Sequence, residues 1–118
     1  MITIYKEFSF DAAHLLPNVP EGHKCRHLHG HTYILRVYVP GEIAGQERWV
    51  MDYGHLKAIV KPVVDELDHQ YLNEIAGLEN PTAEMVTCWI WQRLKPALPH
   101  LAKIELKETA SSGVIYEG

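Results

Sequence analysis

A chain of 118 residues, 47% apolar and 22% charged, fits one globular domain that can bury its own core. Its net charge of −4, with no cluster of Lys and Arg, argues against a phosphate-tracking nucleic-acid surface. No apolar stretch is long enough for a membrane span. The opening MITIYKEFSFDAAH alternates and shows no basic segment followed by an apolar run, so no signal peptide is read. A cytoplasmic location is therefore expected, with Cys25 and Cys88 as reduced thiols.

In chain order, Ile2, Ile4, Phe8 and Phe10 share one parity and predict a half-buried strand, which carries His14 on the same face if it stays regular. Residues 15 to 28, with Pro17, Asn18, Pro20 and Gly22, read as a long loop. A second strand is predicted from about His29 to Val39, with Tyr33, Leu35, Val37 and Val39 on one face, and WVMDY reads as a short strand after it. Leu56, Ile59, Val60, Val63, Val64 and Leu67 recur at helical spacing, and Pro62 within them is expected to kink the helix or cost it a hydrogen bond. That helix should end near Asp68 and His69. Thr82 is a fitting N-cap for a second helix whose buried stripe is Met85, Val86, Trp89, Ile90 and Leu94, closed by Pro96, with Cys88 as packing. Residues 101 to 109 alternate again, and GVIYEG supplies a last strand. The order predicts an α+β domain, a four-stranded antiparallel sheet with two helices on one face (β-β-α-α-β-β) and open edges suited to self-association.

Five of the eight histidines fall between positions 14 and 31. On an extended strand His29 and His31 point to the same side about 6.5–7 Å apart, so both rings can converge on one ion while Gly30 leaves the other face clear. His14, at the end of the neighbouring strand, is the preferred third ligand. His27 shares the parity and competes, but three ligands along one strand form a row that suits tetrahedral geometry poorly. Three imidazoles are a recurrent catalytic zinc set with a position left for water or substrate. Cys25 has three readings: a fourth ligand closing a structural site, a base or nucleophile beside the metal, or a buried thiol. Asp68-His69 reads either as a helix C-terminal pair or as a carboxylate orienting an imidazole for proton transfer. Glu108 ends the apolar row Ala102, Ile104, Leu106. It must reach a cavity, pair with adjacent N–H donors, or turn to solvent.

Together FDAAHLLP, EGHKC, C-x3-HGH, LDHQYLN, LENPTAE and the closing KET…IY cover essentially the whole chain. The pattern resembles the 6-pyruvoyl-tetrahydropterin synthase family. The short gap in C-x3-HGH is similar to its bacterial carboxypterin-forming branch, which acts in queuosine (7-deazaguanine) biosynthesis. The resemblance implies the tunnelling fold, a homohexamer built as a dimer of trimers, and active sites at subunit interfaces. It implies a Zn2+ ion on His14, His29 and His31, proton transfer by Cys25, Asp68 and His69, and a pterin held by Glu108 with Thr109 beside it. The reaction implied is a carbon–carbon lyase step that converts 7,8-dihydroneopterin triphosphate to 6-carboxytetrahydropterin, acetaldehyde and triphosphate. Lys24, Arg26 and Lys107 are candidates for holding the triphosphate. A pyruvoyl-forming synthase and a non-enzymatic zinc module with a closed His/Cys site are the alternatives.

Overall fold

The computed structural model describes residues 1–118. Two 13-residue strands, β1 (Ile2–His14) and β2 (His29–Gly41), pair antiparallel along their whole length, from Ile2 opposite Gly41 to His14 opposite His29. They make the molecule 58 Å in its longest dimension. Helix α1 (Tyr53–Leu67) follows, then the two-residue strand β3 (Gln70–Tyr71), helix α2 (Ala83–Leu94) and the hairpin β4 (Lys103–Thr109) and β5 (Ser112–Tyr116). The sheet order is β3-β1-β2-β4-β5.

The expected α+β layout is present, with five strands instead of four. The added strand, β3, pairs parallel with β1 through Ala12 opposite Gln70 and Ala13 opposite Tyr71. Too short to show alternation, it exists because the chain leaving α1 lies along the β1 edge. WVMDY forms no strand. Trp49 makes one isolated bridge to Ala44, and Asp52 instead caps α1, its carboxylate accepting the Gly54 N–H at 3.0 Å.

One face of the sheet carries the core. Phe8, Phe10, Ala12 and His14 of β1, Tyr33, Leu35, Val37 and Val39 of β2, and Ile104 and Leu106 of β4 are buried. Against them lie Leu56, Val60, Val63, Val64 and Leu67 of α1, and Val86, Trp89, Ile90 and Leu94 of α2. The predicted stripes hold with three exceptions: Ile2 is exposed at the start of β1, Met85 is exposed, and Ala102 is exposed just before β4 begins. Pro62 leaves α1 unbroken: it and Ala58, whose carbonyl loses its helical donor, both face water, which can take over that bond. Thr82 caps α2, its hydroxyl accepting the Met85 N–H at 3.1 Å. Neither helix is long and apolar enough to cross a membrane.

Candidate active site

Pairing of β1 with β2 brings His14 opposite His29, so three imidazoles meet on the core face at the end of the sheet next to the 15–28 loop. One ligand nitrogen from each of His14, His29 and His31 lies within 4.8 Å of the others. His14 is 1% exposed, and its Nδ1 lies 2.9 Å from the Pro81 carbonyl, to which an Nδ1 proton is donated. The Nδ1 of His29 lies 2.7 Å from the His27 carbonyl in the same relation. Each such bond places the proton on Nδ1 and leaves Nε2 as a lone pair. The two Nε2 atoms nevertheless face each other at 3.0 Å, and the Nε2 of His31 is buried with no hydrogen-bond partner. Burial holds the titration of His14 and His31 below the ordinary imidazole value, with the neighbouring rings acting in the same sense. Neutral imidazoles with converging lone pairs suit a zinc-class cation.

His27 itself is exposed, so the ring weighed as a competing ligand lies outside the set and only its carbonyl serves it. Gly30 runs close to β1: a Cβ there would lie 3.3 Å from the Ala12 carbonyl oxygen. Tyr33 forms the floor. It is fully buried, stacks on Phe10 with centroids 4.9 Å apart, and brings its hydroxyl to 3.4 Å from Nδ1 of His14. Burial pushes its phenol well above the ordinary range, so it stays protonated.

Because β4 runs antiparallel to β2, its C-terminal end reaches the start of β2 and sets Glu108 beside His31, Oε1 to Nε2 3.7 Å. Burial opposes a proton on His31 more strongly than the Glu108 charge favours one, and at 3.7 Å the approach is too long for a hydrogen bond. Glu108 thus retains acceptor capacity towards a cavity of about 500 Å³ lined by Lys24, Cys25, His29, His31, Glu108, Thr109 and Ser112. Cys25 is half-buried in a single 3-10 turn, Lys24–Arg26. Its N–H donates to Nδ1 of His23 at 3.1 Å, and its carbonyl accepts from the Leu16 N–H at 2.7 Å. Thr109 lies next to Glu108, and its hydroxyl meets that of Ser112 at 2.5 Å.

Arg26, Lys107 and the Asp68–His69 pair stand outside this cavity. The guanidinium of Arg26 donates to the carbonyls of Pro17 and Val19 at 3.2 and 3.0 Å, tying the loop together and leaving Lys24 as the cation of this cavity. Asp68 and His69 do not join Cys25 within one chain. They stand at the β1 edge, where His69 lines a second cavity of about 530 Å³ with Asp11, Thr32, Gln70 and Tyr71; His31 borders both cavities, but Cys25 lines only the first. The pair itself is well formed, Nδ1 of His69 lying 3.0 Å from Oδ1 of Asp68. Asp11 clamps it from β1: its N–H donates to Oδ1 of Asp68 at 3.0 Å, and its carbonyl accepts the His69 N–H at 2.6 Å. These bonds hold His69 at φ +60°, a left-handed conformation rare outside glycine. The Asp11 N–H, and next the His69 ring, keep the Asp68 carboxyl below its ordinary range. Ser112, the Pro81 carbonyl and the Asp11 main chain escaped sequence reasoning. Only Ser112 offered a side chain to notice, and a serine opening a strand just after a tight turn carries no signal of its own.

An α+β domain with a histidine triad, a thiol and a carboxylate round one cavity defines a class of metal-site proteins. Comparison makes the assignment specific: residues 3–118 match 6-pyruvoyl tetrahydropterin synthase, and the chain belongs to that family. It is 48% identical to a 6-carboxy-5,6,7,8-tetrahydropterin synthase of Synechocystis, over 98% of this chain and 93% of that protein. It is 36% identical to the synthase of that name from Haemophilus influenzae, over 99% of both chains. A dihydroneopterin monophosphate aldolase of Pyrococcus furiosus is 43% identical over 92% of this chain and 91% of its own. Among solved structures, 6-pyruvoyl tetrahydropterin synthase of Caenorhabditis elegans superposes with a TM-score of 0.91 at 27% identity, covering 99% of this chain and 95% of that one. The architecture is the tunnelling fold expected from the motifs.

Proposed function

We propose that this chain is a zinc-dependent carbon–carbon lyase. It converts 7,8-dihydroneopterin triphosphate and one water to 6-carboxy-5,6,7,8-tetrahydropterin with release of acetaldehyde and triphosphate, in queuosine (7-deazaguanine) biosynthesis. The observation that carries this reading is the single cavity shared by His29, His31, Cys25 and Glu108, with His14 behind them. A structural metal site has no need of a carboxylate at the end of an apolar row or of a substrate-sized space. The similarity to the carboxypterin synthases of Synechocystis and Haemophilus influenzae supports the product.

His14, His29 and His31 hold the zinc, which when bound supplies a Lewis acid for the oxygens of the substrate side chain. Glu108 accepts paired N–H donors of the amino-pyrimidine edge and fixes the ring in the cavity, with Thr109 beside it. Cys25 Sγ takes a proton from the side chain of the bound pterin. Asp68 orients the His69 ring through Nδ1, so that Nε2 carries protons during tautomerisation and loss of the carbon fragment. Lys24 at the cavity offers its charge to a phosphate.

Asp68 and His69 lie apart from Cys25 within one chain, so they act on the site of a neighbouring copy. This separation supports active sites at subunit interfaces; the family resemblance supports a homohexamer, a dimer of trimers, as the assembly. A second reading rests on the Pyrococcus furiosus relative: an aldolase acting on dihydroneopterin monophosphate. One cavity lysine does not fix the number of phosphates. Incubation of the zinc-loaded protein with each phosphate ester, followed by mass spectrometry of the products, separates the readings. Carboxypterin and acetaldehyde from the triphosphate are expected. A pyruvoyl pterin, or turnover of the monophosphate alone, would reassign the activity within the family.

A further inference from the structure

The ligand His14 is held in place from a segment that supplies no ligand. We infer that Asn73 is a positioning residue for the metal site, setting its affinity through His14. The inference rests on the reading of His14, His29 and His31 as the ligand set.

Pairing of β3 with β1 ends at Ala13 opposite Tyr71, because the chain then turns into a 3-10 turn, Leu72–Glu74. Past that point the Asn73 side chain takes over the work of a strand. Its Oδ1 accepts the Leu15 N–H at 3.0 Å, and its Nδ2 donates to the Leu15 carbonyl at 2.9 Å. The amide thus pairs with the main chain of the residue that follows His14, as another peptide group would. The same Nδ2 donates to the Glu79 carbonyl at 3.4 Å. Two residues beyond Glu79, the Pro81 carbonyl accepts the Nδ1 proton of His14.

One side chain therefore spans the two supports of the ligand. On one side it fixes the end of β1, which sets the backbone position of His14. On the other it holds the returning loop, which sets the carbonyl that aims the ring. The direction of the Nδ1–H bond fixes the direction of the Nε2 lone pair, because the imidazole is rigid and planar. A loop free to slide would carry the Pro81 oxygen with it and swing Nε2 away from His29. Only an amide of this length supplies an acceptor and two donor hydrogens at once. Aspartate keeps the volume and the bond from Leu15 N–H but sets a carboxylate against two carbonyl oxygens. Alanine removes all three bonds.

The test uses the full-length protein stripped of metal and compares zinc affinity by competition with a chromophoric chelator. Asn73→Ala and Asn73→Asp should weaken zinc by about 10-fold, the lower end of the range for losing an outer partner of a metal-binding histidine. The lower end applies because Asn73 steadies that partner's loop and the ligand's backbone instead of touching the ring. With cobalt(II) in place of zinc, the visible d–d bands of both variants should shift or weaken, a change that general destabilisation away from the site does not produce. Native-like zinc affinity and cobalt bands in either folded variant would overturn the inference. If neither variant folds, the native protein decides. By linkage, zinc must slow hydrogen exchange at the Leu15 amide, and equal exchange with and without zinc would count against the role. Failure of the underlying reading looks different: the native chain would bind no zinc, or His14→Ala would bind it as well as the native chain.

Discussion

The Nε2 atoms of His14 and His29 lie 3.0 Å apart, although the Nδ1 proton of each ring is directed at a main-chain carbonyl, that of Pro81 and of His27. Two lone pairs held at this separation repel unless a cation or a proton stands between them. Burial of His14 opposes the proton. A metal ion would resolve the contact, and the unpartnered Nε2 of His31 would complete its ligand set.

The chain should therefore bind one zinc ion, and binding should be seen in stability. At free zinc 100 times its dissociation constant, the folded state gains about 2.7 kcal/mol. His29→Ala should unfold at the same temperature with and without zinc. Thermal unfolding with and without a chelator checks this, and a zinc-dependent melt in His29→Ala would place the ion elsewhere.

The separation of Cys25 from Asp68 and His69 makes a prediction about assembly. Cys25→Ala and His69→Ala should each be inactive alone. Unfolded together and refolded as a mixture, they should regain part of the native turnover, because some interfaces then combine an intact thiol with an intact imidazole. No recovery in mixed oligomers would mean that each chain works by itself.

The Asp68 carboxyl is held below its ordinary value of 3.8 by the Asp11 N–H, then by the His69 ring. A carboxyl depressed in the folded state contributes stability that is complete above pH 3.8 and lost as pH falls through the folded value. Asp68→Asn should remove that part of the acid sensitivity: its unfolding free energy should fall less steeply below pH 4 than that of the native chain. Denaturant titrations at stepped acidic pH measure this, and parallel acid limbs would deny the Asp11 clamp its electrostatic role.

The Thr82 hydroxyl caps α2 immediately after the Pro81 carbonyl that aims His14. Thr82→Ala should cost about 1 kcal/mol of unfolding free energy, read from the urea midpoint at unchanged slope. No loss of stability would show that the cap bond contributes nothing.

What the sequence made legible was whatever side-chain periodicity records. Phe8, Phe10 and His14 on one parity and the Leu56–Leu67 spacing of α1 lead to the observed core face, and His29 and His31 two apart lead to the observed histidine cluster. Glu108 at the end of an apolar row was equally readable. What stayed hidden depends on main-chain groups, which leave no trace in residue type. The Pro81 and His27 carbonyls, the Asp11 clamp and the β3 pairing are of this kind. WVMDY misled because its apolar residues resemble a strand while Asp52 was needed as a helix cap. Met85 fits the helical spacing of the buried stripe yet faces out at 45% exposure in the first turn of α2. Arg26 looked available for phosphate until its two carbonyl partners were seen.

In the proposed function Cys25 is a base beside the zinc, not a fourth ligand to it. Metal content and turnover of Cys25→Ala, measured on the same preparation, test it most directly. Zinc should stay at the native ratio while turnover falls by about 10²–10⁴-fold, the scale of a lost general base. Loss of zinc together with the thiol would contradict it, making Cys25 a ligand and the site a closed, structural one.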